Sequence, residues 1–190
     1  LMEATKAYSV DQFVEDARAI MSSAADDRQA IVEQLIPLVE RVVWNDALMD
    51  PARRTETPGD RPRYIHYQDP DGTLQIYVVE FAPGMPTPVH DHVTWGVIGV
   101  CGGAQRTTRY RRVDDGSDPE HATLELIDEN VLERGAVYPL LPPDDIHRIE
   151  TVGPEPSYSL HVLGTDLRRQ HRHIFDVEIG KVTAVEGRGM

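Results

Sequence analysis

Two hydrophobic periods divide the chain. Phe13, Ala17 and Ile20 recur at helical spacing behind Ser9, with Gln12 three places beyond that serine, and predict a helix opened by a capping box. Ile31, Leu35, Leu38 and Val42 predict a second helix over about Arg28 to Val43. Pro37 should kink or split it, because proline has no N–H to donate. The Pro-, Gly- and charge-rich segment 50–62 reads as a loop. Beyond it the period shortens. Thr73 to Ala82, Thr94 to Cys101, Ala104 to Arg112 and His121 to Glu129 read as strands. Shorter runs at Ala136 to Leu140, Ile146 to Val152, Ser157 to Gly164 and Arg172 to Val177 continue the series. Many short strands punctuated by tight turns predict a mainly β, closed or double-sheet antiparallel architecture. The two helices are too small for a core of their own. The expected organisation is one domain over 1–190, with 9–45 as a helical elaboration packed on a β-barrel at 73–178.

Composition narrows the functions. The chain has 190 residues, 40% hydrophobic and 27% charged, which suits a globular domain. No run of eighteen apolar residues is present, so no membrane span is expected. The start, LMEATKAYSV, does not read as a signal peptide. A net charge of -13 disfavours nucleic acid and anionic membranes as partners, while leaving a locally basic pocket open. The single cysteine, Cys101, excludes an internal disulfide and reads as a small buried residue of a reduced, cytoplasmic protein. Oligomeric state is not legible.

Histidine carries the chemistry. His90 and His92, in PVHDHV, are two apart at a strand edge, where i and i+2 side chains share a side and both imidazoles reach one metal. His147 follows a second turn-rich segment, PLLPPDDIH. Three imidazoles leave open positions on a metal, but imidazole suits iron, zinc, nickel and copper alike.

The stretch from Gly84 through MPTPV, HDH and VTWG to Val97, with the pair Gly102 and Gly103, resembles the first cupin motif. Gly135 through Pro142 to His147 resembles the second, with Asp144 where a glycine is usual. Val97 stands where ordinary cupins carry a glutamate ligand. The remaining three-histidine set resembles the cysteine dioxygenase family, which includes bacterial 3-mercaptopropionate dioxygenases, over about residues 10 to 180. The resemblance implies a cupin double-stranded β-helix, a jelly-roll barrel with N-terminal helices packed against it. It implies Fe(II) at His90, His92 and His147, with a small thiol carboxylate and O2 as substrates and a sulfinic acid as product. Ser159 and His161 resemble two members of the family's Ser-His-Tyr triad. Leu163 stands in the place of the tyrosine, with Tyr138 or Tyr158 as substitutes. Val97 also takes the position of the family's cross-linking cysteine, so no cysteine–tyrosine crosslink is expected.

The carboxylate partner is left among several residues. Arg172 is the best match to the arginine of the mercaptopropionate branch, with Arg168 and Arg169 as further candidates. The mammalian substrate-arginine position falls at Tyr64, with Arg63 adjacent. Trp95 either walls the pocket or packs in the core. In RTTRYRR, Arg106 and Arg112 share one parity and Arg109 and Arg111 the other, so Arg106 or Arg109 can turn inward to a second carboxylate. His171 and His173 flank Arg172 and face away from it. The expected substrate order is mercaptosuccinate, then 3-mercaptopropionate, then cysteine. The alternatives are another metal-dependent cupin oxygenase or isomerase, or a noncatalytic cupin that binds a small molecule.

Overall fold

The computed structural model describes residues 8–24 and 26–186; most of the segment bearing on a signal peptide lies outside them. Two helices, α1 (Val10–Ser23) and α2 (Arg28–Val42), precede twelve strands among the described residues. These are β1 (Arg54–Thr55), β2 (Arg63–Gln68), β3 (Gln75–Phe81), β4 (Val89–His90), β5 (Gly96–Gly102) and β6 (Ala104–Arg112), followed by β7 (Leu124–Glu133), β8 (Val137–Leu140), β9 (Ile146–Val152), β10 (Ser157–Leu163), β11 (Arg172–Asp176) and β12 (Lys181–Val185). They form two six-stranded sheets, in the orders β1-β2-β3-β10-β5-β8 and β12-β11-β4-β9-β6-β7. Every pairing is antiparallel. The result is a cupin-like double-stranded β-helix with the N-terminal helices packed alongside.

Ser9 caps α1 through its hydroxyl, which accepts from Gln12 N–H at 3.1 Å. Gln12 Nε2 donates to Asp16 Oδ1 at 2.9 Å, and among the described residues no bond from Ser9 N–H to the Gln12 side chain completes a capping box. The helices cover the outer face of the first sheet. Phe13, Leu35 and Val39 are fully buried there with Val78, Val97 and Leu160. Burying each such side chain is worth roughly 1.5–3 kcal/mol before conformational entropy is set against it. Gly99 on β5 permits the approach: a Cβ there would lie 2.6 Å from the side chains of Val39 and Val43. Cys101 belongs to this layer, is fully buried, and has its thiol pushed up to about 12 by desolvation.

The structure departs from the sequence pattern in several places. Pro37 does not split α2, which runs unbroken. Pro37 and Glu33 are both exposed, so the Glu33 carbonyl that loses its intrahelical donor meets water. The 50–62 loop contains a short 3-10 turn, Pro51–Arg53, and β1. β2 shows no apolar alternation because its faces serve different neighbours: Arg63 turns towards the barrel interior and Tyr64 towards the helices. β2 and β12 add strands on either side of the 73–178 stretch. None of the described helices is long and apolar enough to cross a membrane.

Candidate metal centre

His90 on β4 and His147 on β9 are direct cross-strand partners, so their side chains leave the sheet on the same face. His92 is not on a strand. β4 ends at His90, and His92 lies in the turn beyond it. Strand alternation alone therefore does not bring His92 to the side of His90. Asp145 supplies what was missing. Its Oδ2 accepts N–H bonds from His92 at 2.9 Å and from Val93 at 2.8 Å. Val93 holds φ 57° in that turn, an uncommon conformation for a β-branched residue. Asp91, between the two histidines, is buried and accepts from the backbone N–H and ring Nδ1 of His173 at 2.7 and 2.6 Å.

The three rings form a near-equilateral triangle with centroids 4.7 to 4.9 Å apart. One ligating nitrogen from each lies within 4.8 Å of the others. Each Nδ1 is occupied from behind. His90 Nδ1 contacts the Pro88 carbonyl at 2.9 Å, and His92 Nδ1 contacts the Asp145 carbonyl at 3.2 Å. A carbonyl only accepts, so both Nδ1 atoms carry the proton and both Nε2 atoms keep a lone pair. His147 Nδ1 meets the Tyr138 hydroxyl at 3.2 Å, and its Nε2 is buried with no protein partner. Desolvation brings His92 down to about 3, and it holds His90 and His147 well below their ordinary value, helped by the neighbouring imidazoles. Neutral rings with inward lone pairs fit a divalent cation.

The cavity in front of this triangle is lined from both sheets. Arg172 on β11, 1% exposed, is its largest buried side chain. Burial lowers its guanidinium from the ordinary value. His161 on β10 is stacked on Tyr77, with ring centroids 5.6 Å apart and planes 8° apart, and its Nε2 lies 3.1 Å from Ser159 Oγ. Desolvation lowers His161 to about 3. Arg63 completes the cationic lining, and Val79, Phe81, Ile149 and Leu167 form the apolar wall. The open space at the centre is about 20 Å³, room for one water or ion.

Several sequence candidates lie elsewhere. Tyr64 faces the helix layer, edge-on to Tyr158, with its hydroxyl 3.2 Å from Glu80. Trp95 packs in that layer against Gly164, whose missing Cβ leaves room for the indole, so it does not wall the cavity. Arg106 is on the outer face of β6, within 3.5 Å of Glu150 and 3.9 Å of Glu129. Arg168 pairs with Asp166 at 2.8 Å with over half of its side chain exposed. Arg169 is exposed and donates to the Asp71 carbonyl. Arg109 makes a two-point contact with Asp128. In each case a nearby carboxylate, carbonyl or the helix layer takes the side chain away from the cavity. Asp144 binds Arg111 through two hydrogen bonds of 2.6 and 2.7 Å. Leu163 is fully buried in the inner apolar cluster with Tyr77 and Phe81, so no hydroxyl enters from that position. Tyr138 stands behind His147 rather than in the cavity. The residues that sequence reasoning passed over are Tyr77 and Asp145. The parity of Tyr77, Val79 and Phe81 along β3 was the available signal for the first.

No protein-family model matches the chain. Among solved structures it is similar to oxalate oxidase in complex with glycolate, at 21% identity over 49% of this chain and 42% of that chain, with a TM-score of 0.38. It is also similar to a cupin 2 conserved barrel domain protein from Rhodopseudomonas palustris, at 12% identity over 66% and 76% of the two chains, with a TM-score of 0.46. A putative sugar phosphate isomerase from Acidithiobacillus ferrooxidans matches at 18% identity over 60% and 67%, with a TM-score of 0.39. The match spans less than half the length of the oxalate oxidase chain.

Proposed function

We propose that this cavity is the active site of a metal-dependent oxygenase acting on a small carboxylate, and more finely that the protein is an Fe(II)-dependent thiol dioxygenase. The observation that carries the reading is the burial of Arg172 in the same cavity as the three converging histidines. A guanidinium fork held there matches a carboxylate at two points. The reaction is RSH + O2 → RSO2H. Both oxygen atoms join sulfur, four electrons pass from sulfur to dioxygen, and the proton stays on the product. Iron at His90, His92 and His147 would supply the redox chemistry.

The chain's own residues do the rest. Arg172 holds the carboxylate and so fixes how far the thiol extends towards the histidines. Val79, Phe81, Ile149 and Leu167 keep bulk water from the reacting end. Ser159 and Tyr77 hold the His161 ring in place beside them. No acidic side chain lines the cavity among the described residues, which leaves an ammonium group without a counter-ion. That favours mercaptosuccinate or 3-mercaptopropionate over cysteine. Arg63 offers a second cation, which suits the dicarboxylate.

A second reading is another metal-dependent oxygenase or an isomerase. It is favoured by Leu163, which puts an apolar side chain where the thiol dioxygenase resemblance calls for a hydroxyl. Oxygen uptake by the Fe(II)-loaded protein with each thiol, with sulfinate identified by mass, separates the two. Uptake matched by sulfinate supports the dioxygenase. Full metal loading with no thiol consumed hands the site to the second reading.

A further inference from the structure

The cavity is narrow, with only about 20 Å³ of open space, and a much larger space lies beside it. Beneath the loop from Glu56 to Pro62 lies a vestibule of about 610 Å³. Arg61, Arg63 and Arg168 line it with Asp60; Arg168 is paired with Asp166 and Arg63 with Asp60, so Arg61 supplies the excess positive charge, in a chain of net charge -13. Among the described residues, Arg63 alone lines both spaces. Its guanidinium is 3.2 Å from Asp60 and 4.8 Å from the centre of the Tyr77 ring. The two side chains of this ion pair are only 15% and 17% exposed, and Arg63 Nε is buried with no hydrogen-bond partner.

We infer that the Asp60–Arg63 pair is a latch across the neck between vestibule and cavity, opened by small anions that compete with Asp60 for Arg63. The inference rests on the cavity being where the substrate reacts. An arriving carboxylate meets Arg61 in the vestibule and then Arg63, with one carboxylate, Asp60, to displace. Exchanging Asp60 for the incoming anion keeps Arg63 paired throughout, so the swing avoids leaving a buried charge alone, which is the costly step in breaking such a pair. Gly59, at φ 81°, lies beside Asp60 at the tip of the loop, where the backbone can turn with little steric resistance. A neutral molecule of the same size has no charge with which to displace Asp60, and a cation that would compete with Arg63 for Asp60 is repelled by Arg61 and Arg63.

The test places a thiol in the cavity wall by Val79→Cys, with Ile149→Cys as a second position should the first fail to fold. Its modification is followed by mass in the full chain, with a small thiosulfonate reagent carrying a sulfonate and with its trimethylammonium counterpart. Native Cys101, fully buried in the helix layer, reports global opening in the same sample. Sulfonate should react at least fivefold faster than trimethylammonium. Asp60→Asn should raise both rates at least fivefold, while Thr57→Trp, which fills the vestibule, should lower both. No change with Asp60→Asn overturns the latch. So does a rise for sulfonate with a fall for trimethylammonium, since that is long-range charge alone. Modification of Cys101 at the same rate as the introduced thiol also overturns it. None of these rates depends on metal or turnover, so an inactive thiol panel leaves the latch standing, and a failed latch leaves the oxygenase standing.

Discussion

The hydroxyl of Tyr138 lies 3.2 Å from Nδ1 of His147, on the side of the ring turned away from the other two histidines. If His147 Nε2 is to hold a metal, Nδ1 must carry the proton and donate it to the phenol oxygen. Burial pushes the phenol above its ordinary value, so it remains protonated. Tyr138→Phe leaves a buried N–H without an acceptor, at a cost of about 1–3 kcal/mol. Metal affinity should fall roughly 10-fold or more, measured by competition with a chelator. Unchanged affinity would mean that Tyr138 is only core packing.

Arg172 and the outer arginines should separate cleanly. Arg172→Lys keeps the charge but loses the planar fork, so KM for a thiol acid should rise about 10-fold or more with metal content unchanged. Arg106→Gln and Arg168→Gln break partly exposed ion pairs and should leave KM within about twofold. Steady-state kinetics on the three variants decides it. A KM effect at Arg168 larger than at Arg172 would move the carboxylate site out of the barrel.

What the sequence made legible was whatever a local period or a local motif encodes. Ile146 to Val152 shows its alternation on its face and is a strand with those bounds. HDH and the later His147 could be singled out because histidine is rare in such runs, although their convergence needed the β4–β9 register. Tyr64 and Arg63 show the limit. They are adjacent, on opposite faces of a strand with no apolar alternation, and a one-residue difference decides which enters the cavity. Arg106 and Arg168 lie outside the cavity for another reason: Glu150 and Asp166 pair with them, and Glu150 is distant in sequence. Asp145 passed unnoticed because its task is to bind backbone N–H groups across 52 and 53 residues, which no side-chain motif announces.

Acid should destabilise the metal-free protein well before its carboxylates titrate. Desolvation holds His92 and His161 down to about 3, against 6.5 in an open chain. Above pH 6.5 neither state holds the proton, and these residues add no pH dependence. Below it the unfolded chain takes up protons that the folded state refuses, so stability falls as pH falls. The slope is about 1.4 kcal/mol per pH unit for each such histidine, continuing to about pH 3. Urea unfolding at pH 7.5, 6.0 and 5.0 measures it. His161→Gln should reduce the slope by one histidine's share. A flat profile between pH 7.5 and 5.0 would show that the rings are solvated and protonated in the fold.

Asp145 and Val93 should prove energetically coupled. The carboxylate accepts both N–H groups of the turn that carries His92, and Val93 is held at φ 57°. For a β-branched residue that conformation costs on the order of 1–3 kcal/mol and persists only where the surroundings impose it. Asparagine adopts it more readily, and Val93 is 41% exposed, so a polar side chain there is tolerated. Val93→Asn should therefore stabilise the protein by about 1 kcal/mol in denaturant unfolding. Asp145→Ala removes the acceptor of two backbone donors and should cost about 2–4 kcal/mol, together with much of the metal affinity as His92 loses its anchor. With both changes the loss should be smaller than the sum, because a turn that prefers its own conformation depends less on the carboxylate to impose it. A coupling of about 0.5 kcal/mol or more in the double-mutant cycle is the expected sign. Strict additivity would mean that Asp145 and the turn act independently, and that the position of His92 is set by packing alone.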